Sequence, residues 1–451
     1  MKIGWLIIVS ILLSLNLNAQ YKFQGLRFNE NYEYLKNDTT ENWYKKMKFT
    51  SFNSTTSAYL SQGGEVRYQF QHFTNEDWGD IPVTSYNAFY SRFLYHTDFH
   101  FSKYFRFFHQ FNSTFAVGRV TPNRPIDENQ LDIQQVFFDV YPHKEITIRV
   151  GRQELLYGSQ RLIAVREGPN NRQSYDAAKI VWKKKQIQLD AYYSHPVRVR
   201  QGIFDDRLNE REKLWSTHAV FHSVPKLYNV DLYYIGYYNQ QKRYDSGIEK
   251  ELRHSIGTRI WHKSNTWNYD FEALYQFGSW GTQYINAYTA SIDASYTFEK
   301  VRTKPTIGLK TEIISGDRNT IDNQLNTFNP LFPRGAYFGL AALIGPSNLI
   351  DFHPSLSFKP FNDFEISADY DVFWRYSTDD GIYGPNVVLI FDSNSTNRFI
   401  GHQIGLACEY QPNAFLKLTP EIMWFYPGAY LKDVSPGKQV LFGAFTAQFK
   451  F

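Results

Sequence analysis

From about residue 50 to the C-terminus, apolar or aromatic residues recur at every second position, with polar or charged residues between them. A two-residue period belongs to a strand with two different faces, and it dictates an all-β chain. Phe89, Phe93, Tyr95, Phe99 and Phe101 alternate with Tyr90, Arg92, His96, Asp98 and His100. Phe364, Ile366, Ala368, Tyr370, Val372 and Trp374 alternate with Glu365, Ser367, Asp369, Asp371 and Arg375. No long helical period interrupts the series. A mean hydropathy of −0.46 is far too polar for a helical membrane protein, and the one long apolar run lies in the first twenty residues. With 43% apolar residues, including 33 Tyr and 38 Phe, the chain has ample strand- and core-forming material and is not disordered. A net charge of +4 is too small to support nucleic-acid binding, and a lone cysteine, Cys408, excludes internal disulfides and multi-thiolate metal sites.

The first residues read as a secretory leader. Met1 and Lys2 supply a positive start, Trp5 to Leu15 an apolar core, and Ala19 a small residue at the cleavage point, so residues 1–19 are expected to be removed. Residues 20–57 are polar, Asn- and Lys-rich and do not alternate. They read as an N-terminal extension, periplasmic or entering a lumen. Residues 58–451 carry the alternation.

Turns decide between a soluble sandwich and a membrane barrel. Eight short polar connections, from Ser102-Lys103 to Gln411-Pro412-Asn413, alternate with nine longer ones rich in Gly, Asn and Asp, such as 158–175, 196–215, 316–348 and 377–400. Seventeen connections join eighteen strands, an even number with both termini on the short-turn side. This is the layout of a single transmembrane antiparallel β-barrel with short periplasmic turns and long extracellular loops. Each strand with its share of connections has about 24 residues, enough for the roughly 9 to 11 that cross a bilayer with tilt. The last strand places Leu441, Gly443, Phe445, Ala447, Phe449 and Phe451 on one face and ends on an aromatic residue. The expected location is the outer membrane of a Gram-negative-type cell, in contact with its lipid, with the chain acting as a monomer.

Several motifs carry a family likeness. They are Gly63-Gly64-Glu65-Val66-Arg67; Arg149-Val150-Gly151-Arg152-Gln153-Glu154-Leu155 with Tyr157-Gly158-Ser159-Gln160-Arg161-Leu162 and Asn171-Arg172 to Asp176; Phe328-Asn329-Pro330-Leu331-Phe332-Pro333; Phe373-Trp374-Arg375; and Ile400-Gly401-His402-Gln403-Ile404. From Leu60 onward the chain resembles the alginate export family, outer-membrane barrels whose best-studied type is an eighteen-stranded conduit for an anionic uronate polysaccharide. The resemblance implies passive passage of anionic polysaccharide or small anionic solutes, service to periplasmic secretion components, and a lumen path that includes Arg172 and Asp176.

In a barrel the strand face opposite the lipid lines the interior. Parity turns Val66, Tyr68, Phe70, Phe138, Val140, Ile148 and Val150 outward. It turns Glu65, Arg67, Arg92, Asp98, Arg106, Asp139, Arg149, Arg253, Arg259, Asp369, Asp371 and Arg375 inward. Arginine forks suit carboxylates, so inward Arg rows could hand an anionic chain along, with Asp and Glu keeping the forks oriented. The bland alternative is a network of ion pairs that only fills the interior. Arg149, Arg152, Glu154 and Arg161 form the densest group, and Arg152 and Glu154 join it if the strand bulges near Gly151. His96, Asp98 and His100 share a face but stand too far apart along the strand for one ion, so no metal or cofactor is expected. No nucleophile signature places a Ser beside a His, so no enzyme is expected. The rival reading is a plugged barrel whose long loops bind a surface partner, with the 316–348 segment folding inward.

Overall fold

The computed structural model describes residues 23–40, 42–52, 58–120, 122–385 and 387–451. The expected leader lies outside the described residues. Eighteen long strands follow in order: β1 (Tyr59–Thr74), β2 (Ser85–His100), β3 (Phe105–Val117), β4 (Asn129–His143), β5 (Ile146–Gln153), β6 (Tyr175–Lys184), β7 (Ile187–Arg198), β8 (Glu212–Val224) and β9 (Tyr228–Tyr244). The second half comprises β10 (Gly247–His262), β11 (Trp267–Trp280), β12 (Gln283–Thr297), β13 (Thr306–Ile314), β14 (Leu349–Phe361), β15 (Phe364–Arg375), β16 (Phe399–Tyr410), β17 (Leu416–Pro427) and β18 (Val440–Lys450). Each pairs antiparallel with its sequence neighbour, and β18 closes on β1 from Glu65 opposite Lys450 to Thr74 opposite Leu441. Closure leaves no free edge, the condition a sheet must meet in lipid.

The outer face is apolar, as parity requires. Tyr68, Phe138, Val140, Ile148, Val150, Ile404 and Leu406 are exposed, while their strand neighbours Arg67, Asp139 and Arg149 are buried inside. Two aromatic residues of the wall, Tyr192 and Trp261, turn inward. Tyr192 is buried, and the indole of Trp261 donates to Asp231 Oδ1 at 2.9 Å.

All eight short turns lie at one end. At the other, seven of the nine connections are long, but two are hairpins of two residues, Asp245-Ser246 between β9 and β10 and Gly281-Thr282 between β11 and β12. The strands they join run 14 to 17 residues, so length expected in loops is spent on strands that continue past the membrane. Two short helices, α1 (Trp43–Lys48) and α2 (Ala429–Val434), are not part of the wall but pack on it, with Lys48, Tyr430 and Leu431 buried.

The expected bulge at Gly151 takes a different form. Pairing of β5 with β4 runs unbroken from Asp139 opposite Arg149 to Val136 opposite Arg152, and the register shift falls in β4, where Gln110 faces Gln135 but Phe111 faces Ile133. Gly151 itself has φ +132, and a Cβ there would meet the Val136 carbonyl at 2.3 Å. Gly151→Ala is therefore expected to destabilise the barrel by about 1 to 3 kcal/mol, read as a lower urea midpoint of tryptophan fluorescence; an unchanged midpoint would contradict the requirement for glycine against the Val136 carbonyl.

Candidate functional site

The inward charges are almost all engaged. Toward the turn end, Arg106 bonds Asp98 at 2.7 Å and approaches Asp139 at 3.5 Å, while Arg149 bonds the other side of Asp139 at 2.7 Å. These are cross-strand pairs, since β2, β3, β4 and β5 place His100 beside Arg106, Arg106 beside Asp139, and Asp139 beside Arg149. The N-terminal segment covers them. Phe28 packs edge-on against Phe108 and Phe137, and the Arg149 guanidinium lies 4.0 Å over the Phe28 ring and 3.9 Å over Phe137. Arg106 donates to the Phe28 carbonyl at 2.6 Å, and Arg27 donates to the carbonyls of Gly64 and Phe451 at 2.8 and 2.9 Å.

From the opposite end, the 154–174 loop folds into the lumen. It carries Leu162, Ile163, Ala164 and Val165, a four-residue apolar run that water disfavours, and all four are buried. Ile163 forms a parallel bridge with Phe332 of the 315–348 loop, with Ala164 N donating to Phe332 O at 3.0 Å and Phe332 N to Leu162 O at 2.9 Å. Charged side chains fasten this pair to the wall. Arg161 reaches Glu272 at 3.2 Å and also bonds Glu312, which accepts from Tyr337 at 3.0 Å. On the facing wall, Arg67 donates to the carbonyls of Glu167 and Pro169, each at 2.9 Å, and Arg92 bonds Glu65 at 2.6 Å and the Glu167 carboxylate. Arg172 bonds Glu154 at 3.0 Å and Glu167 at 3.3 Å, and donates to the Gly25 carbonyl of the N-terminal segment at 2.9 Å.

The remaining expected path residues go elsewhere. Arg152 faces Val136 rather than Arg149 and bonds Asp176 at 2.9 Å, so the group of Arg149, Arg152, Glu154 and Arg161 does not assemble as one patch. Arg375 is fully buried and donates to the carbonyls of Thr378 and Asp380, both at 3.1 Å, fixing the 376–398 loop. Asp371 is fully buried and accepts from Gln403, whereas Asp369 stays partly open to the lumen.

A cavity of about 570 Å³ persists at the loop end beside β1 and β2. Its lining includes Arg119, Arg124 and Arg166 as well as Glu76, Asp77 and Asp127. Arg124 bonds Asp127 at 2.9 Å, and Arg119 lies 3.3 Å from the Tyr90 hydroxyl. Arg166 is different. It sits in the left-handed region at φ +55, its guanidinium is 5.6 Å from the Phe332 ring, and no carboxylate among the described residues lies within ion-pair distance. Burial pushes its guanidinium down from the ordinary arginine value. Strand parity cannot find Arg166, because it lies in a loop; the signal was the apolar run Leu162 to Val165 just before it, which obliges that loop to turn inward.

A closed antiparallel barrel of eighteen strands with its charge inside is an outer-membrane barrel of the porin kind. The alginate export family model matches residues 58–439, and the chain belongs to that family. Three solved structures from Pseudomonas aeruginosa are similar in fold. OccK8 (OprE) has a TM-score of 0.57 at 10% identity, covering 87% of this chain and 98% of that one. OccD3 (OpdP) has 0.56 at 11% identity, with 90% and 93% covered. OccK2 (OpdF) in complex with glucuronate has 0.54 at 10% identity, with 87% and 98% covered. No curated protein matches the chain. The turn end is then periplasmic and the loop end extracellular.

Arg92 and Glu65 lie buried together, so removing one partner leaves a charge stranded. Arg92→Met is expected to cost about 3 to 5 kcal/mol, and the double change Arg92→Met, Glu65→Leu much less, both measured as urea midpoints in detergent. Equal losses for the single and double variants would show that the pair itself carries no weight.

Proposed function

We propose that the protein is an outer-membrane conduit for anionic sugars, either uronate polysaccharide or small sugar acids, with its inward loops gating passage. The observation that carries this reading is Arg166, a guanidinium without a carboxylate at ion-pair distance among the described residues, which borders the extracellular cavity. Charge without a counter-ion in a half-buried place favours an anion, and a planar fork suits a carboxylate. Among the described residues, Arg67, Arg92, Arg106, Arg149, Arg161, Arg172 and Arg375 are engaged by Glu, Asp or carbonyl groups, so they hold wall and loops rather than compete for cargo. That balance leaves the anion one strong foothold and no continuous trap, as passage requires. Family membership and the glucuronate complex of the similar OccK2 barrel support the same solute class.

A second reading is favoured by the loops themselves. The 154–174 and 315–348 loops occupy the lumen, and a barrel kept so would serve as a surface-binding protein. Planar-bilayer recordings separate the two. A conduit conducts, prefers anions, is transiently blocked by glucuronate, and loses several-fold of that preference in Arg166→Ala. Silence, or a selectivity unmoved by the substitution, would reject the Arg166 foothold and favour the binding barrel.

A further inference from the structure

On the inner wall below the 315–348 loop, β14 and β15 bring together three groups that strand parity treats separately. His353 Nδ1 lies 2.5 Å from Asp371 Oδ1, and His353 Nε2 lies 3.8 Å from Asp369 Oδ1. Donor atoms of the three residues all fall within 4.8 Å of one another. Two residues back along the same inward row stands Asp351, which is fully buried and, among the described residues, has no hydrogen-bond partner on either carboxylate oxygen. The nearest cations are committed elsewhere: Lys310 bonds Glu312 at 3.1 Å, and Arg161 bonds Glu312 and Glu272. Three carboxylates therefore share one imidazole, and buried charge of one sign demands a counter-charge.

We propose that His353, Asp369 and Asp371 bind a first-row divalent cation, with Asp351 contributing negative charge beside it. One imidazole with carboxylates is a borderline donor set suited to Zn²⁺ or Mn²⁺ rather than to Mg²⁺, and the partial openness of His353 and Asp369 to the lumen leaves room for water ligands. Gln403 links the site to the loop above, since its amide donates both to Asp371 Oδ2 and to the Phe338 carbonyl. An imidazolium shared between Asp369 and Asp371 would be the metal-free alternative, and it leaves Asp351 unpartnered.

Equilibrium dialysis against Zn²⁺, with metal analysis of the full-length protein in detergent after chelator treatment, tests the site. The chain has 12 His, so the measured quantity is the difference between wild type and variants. Wild type is expected to retain one equivalent more than His353→Ala and than Asp369→Asn, a partly open residue whose change leaves the wall intact. Heat-modifiable electrophoretic mobility verifies that each variant is folded. Equal retention by wild type and both folded variants would overturn the proposal.

Discussion

The structure depends on the pairing of charge inside a closed wall. Alternation forces every second residue of eighteen strands into a narrow interior, and lipid outside forces the polar ones there. Arginines and carboxylates packed into such a space must neutralise one another, because an unpaired buried charge is far costlier than a pair. The wall meets part of this demand across strands, as in Arg106, Asp139 and Arg149. The rest is met by chain folded in from both ends. Arg161 and Arg172 from a loop, and the carbonyls of Gly25 and Phe28 from the N-terminal segment, complete groups that the wall alone leaves open.

Loop position and lumen chemistry are thus one problem. The apolar run from Leu162 to Val165 drives the 154–174 loop out of water, and the ion pairs at its two flanks decide where it docks. The same pairs set the electrostatics that a passing solute would meet. On the proposed reading, a lumen whose wall arginines Arg67, Arg92, Arg106 and Arg149 are engaged among the described residues would attract an anion weakly along the wall and more strongly at Arg166. Such a profile suits transit better than a ladder of free forks, each of which would hold an anion tightly.

Much of this is legible in the sequence itself. Parity alone separated Phe138 and Val140 outside from Asp139 inside, and turn counting found eighteen strands closed near Phe451. Both succeed because lipid and lumen impose opposite chemistries on adjacent residues. Parity failed where that contrast weakens. Trp261 turns inward and satisfies Asp231, since an aromatic ring with one N–H fits either face. The hairpin at Gly281 looked like part of a longer loop, because strands extending beyond the bilayer no longer need an apolar outer face. Arg152 followed the unbroken register of its strand rather than the bulge assumed for it. Cross-loop contacts such as Ile163 with Phe332 depend on distant segments that one-dimensional spacing does not encode, and the meeting of His353 with Asp369 depends on the register of the β14–β15 hairpin, which parity alone does not fix.

Buried ion pairs hold the loops inside the barrel. Single-channel recording of Arg161→Met beside wild type tests this most directly, because the substitution keeps the bulk of the side chain and removes only its charged hold on Glu272 and Glu312. Larger or more frequent openings are expected in the variant as the 154–174 loop leaves the lumen. Traces indistinguishable from wild type would mean that the loops are held by packing alone, and that the ion pairs follow their position rather than determine it.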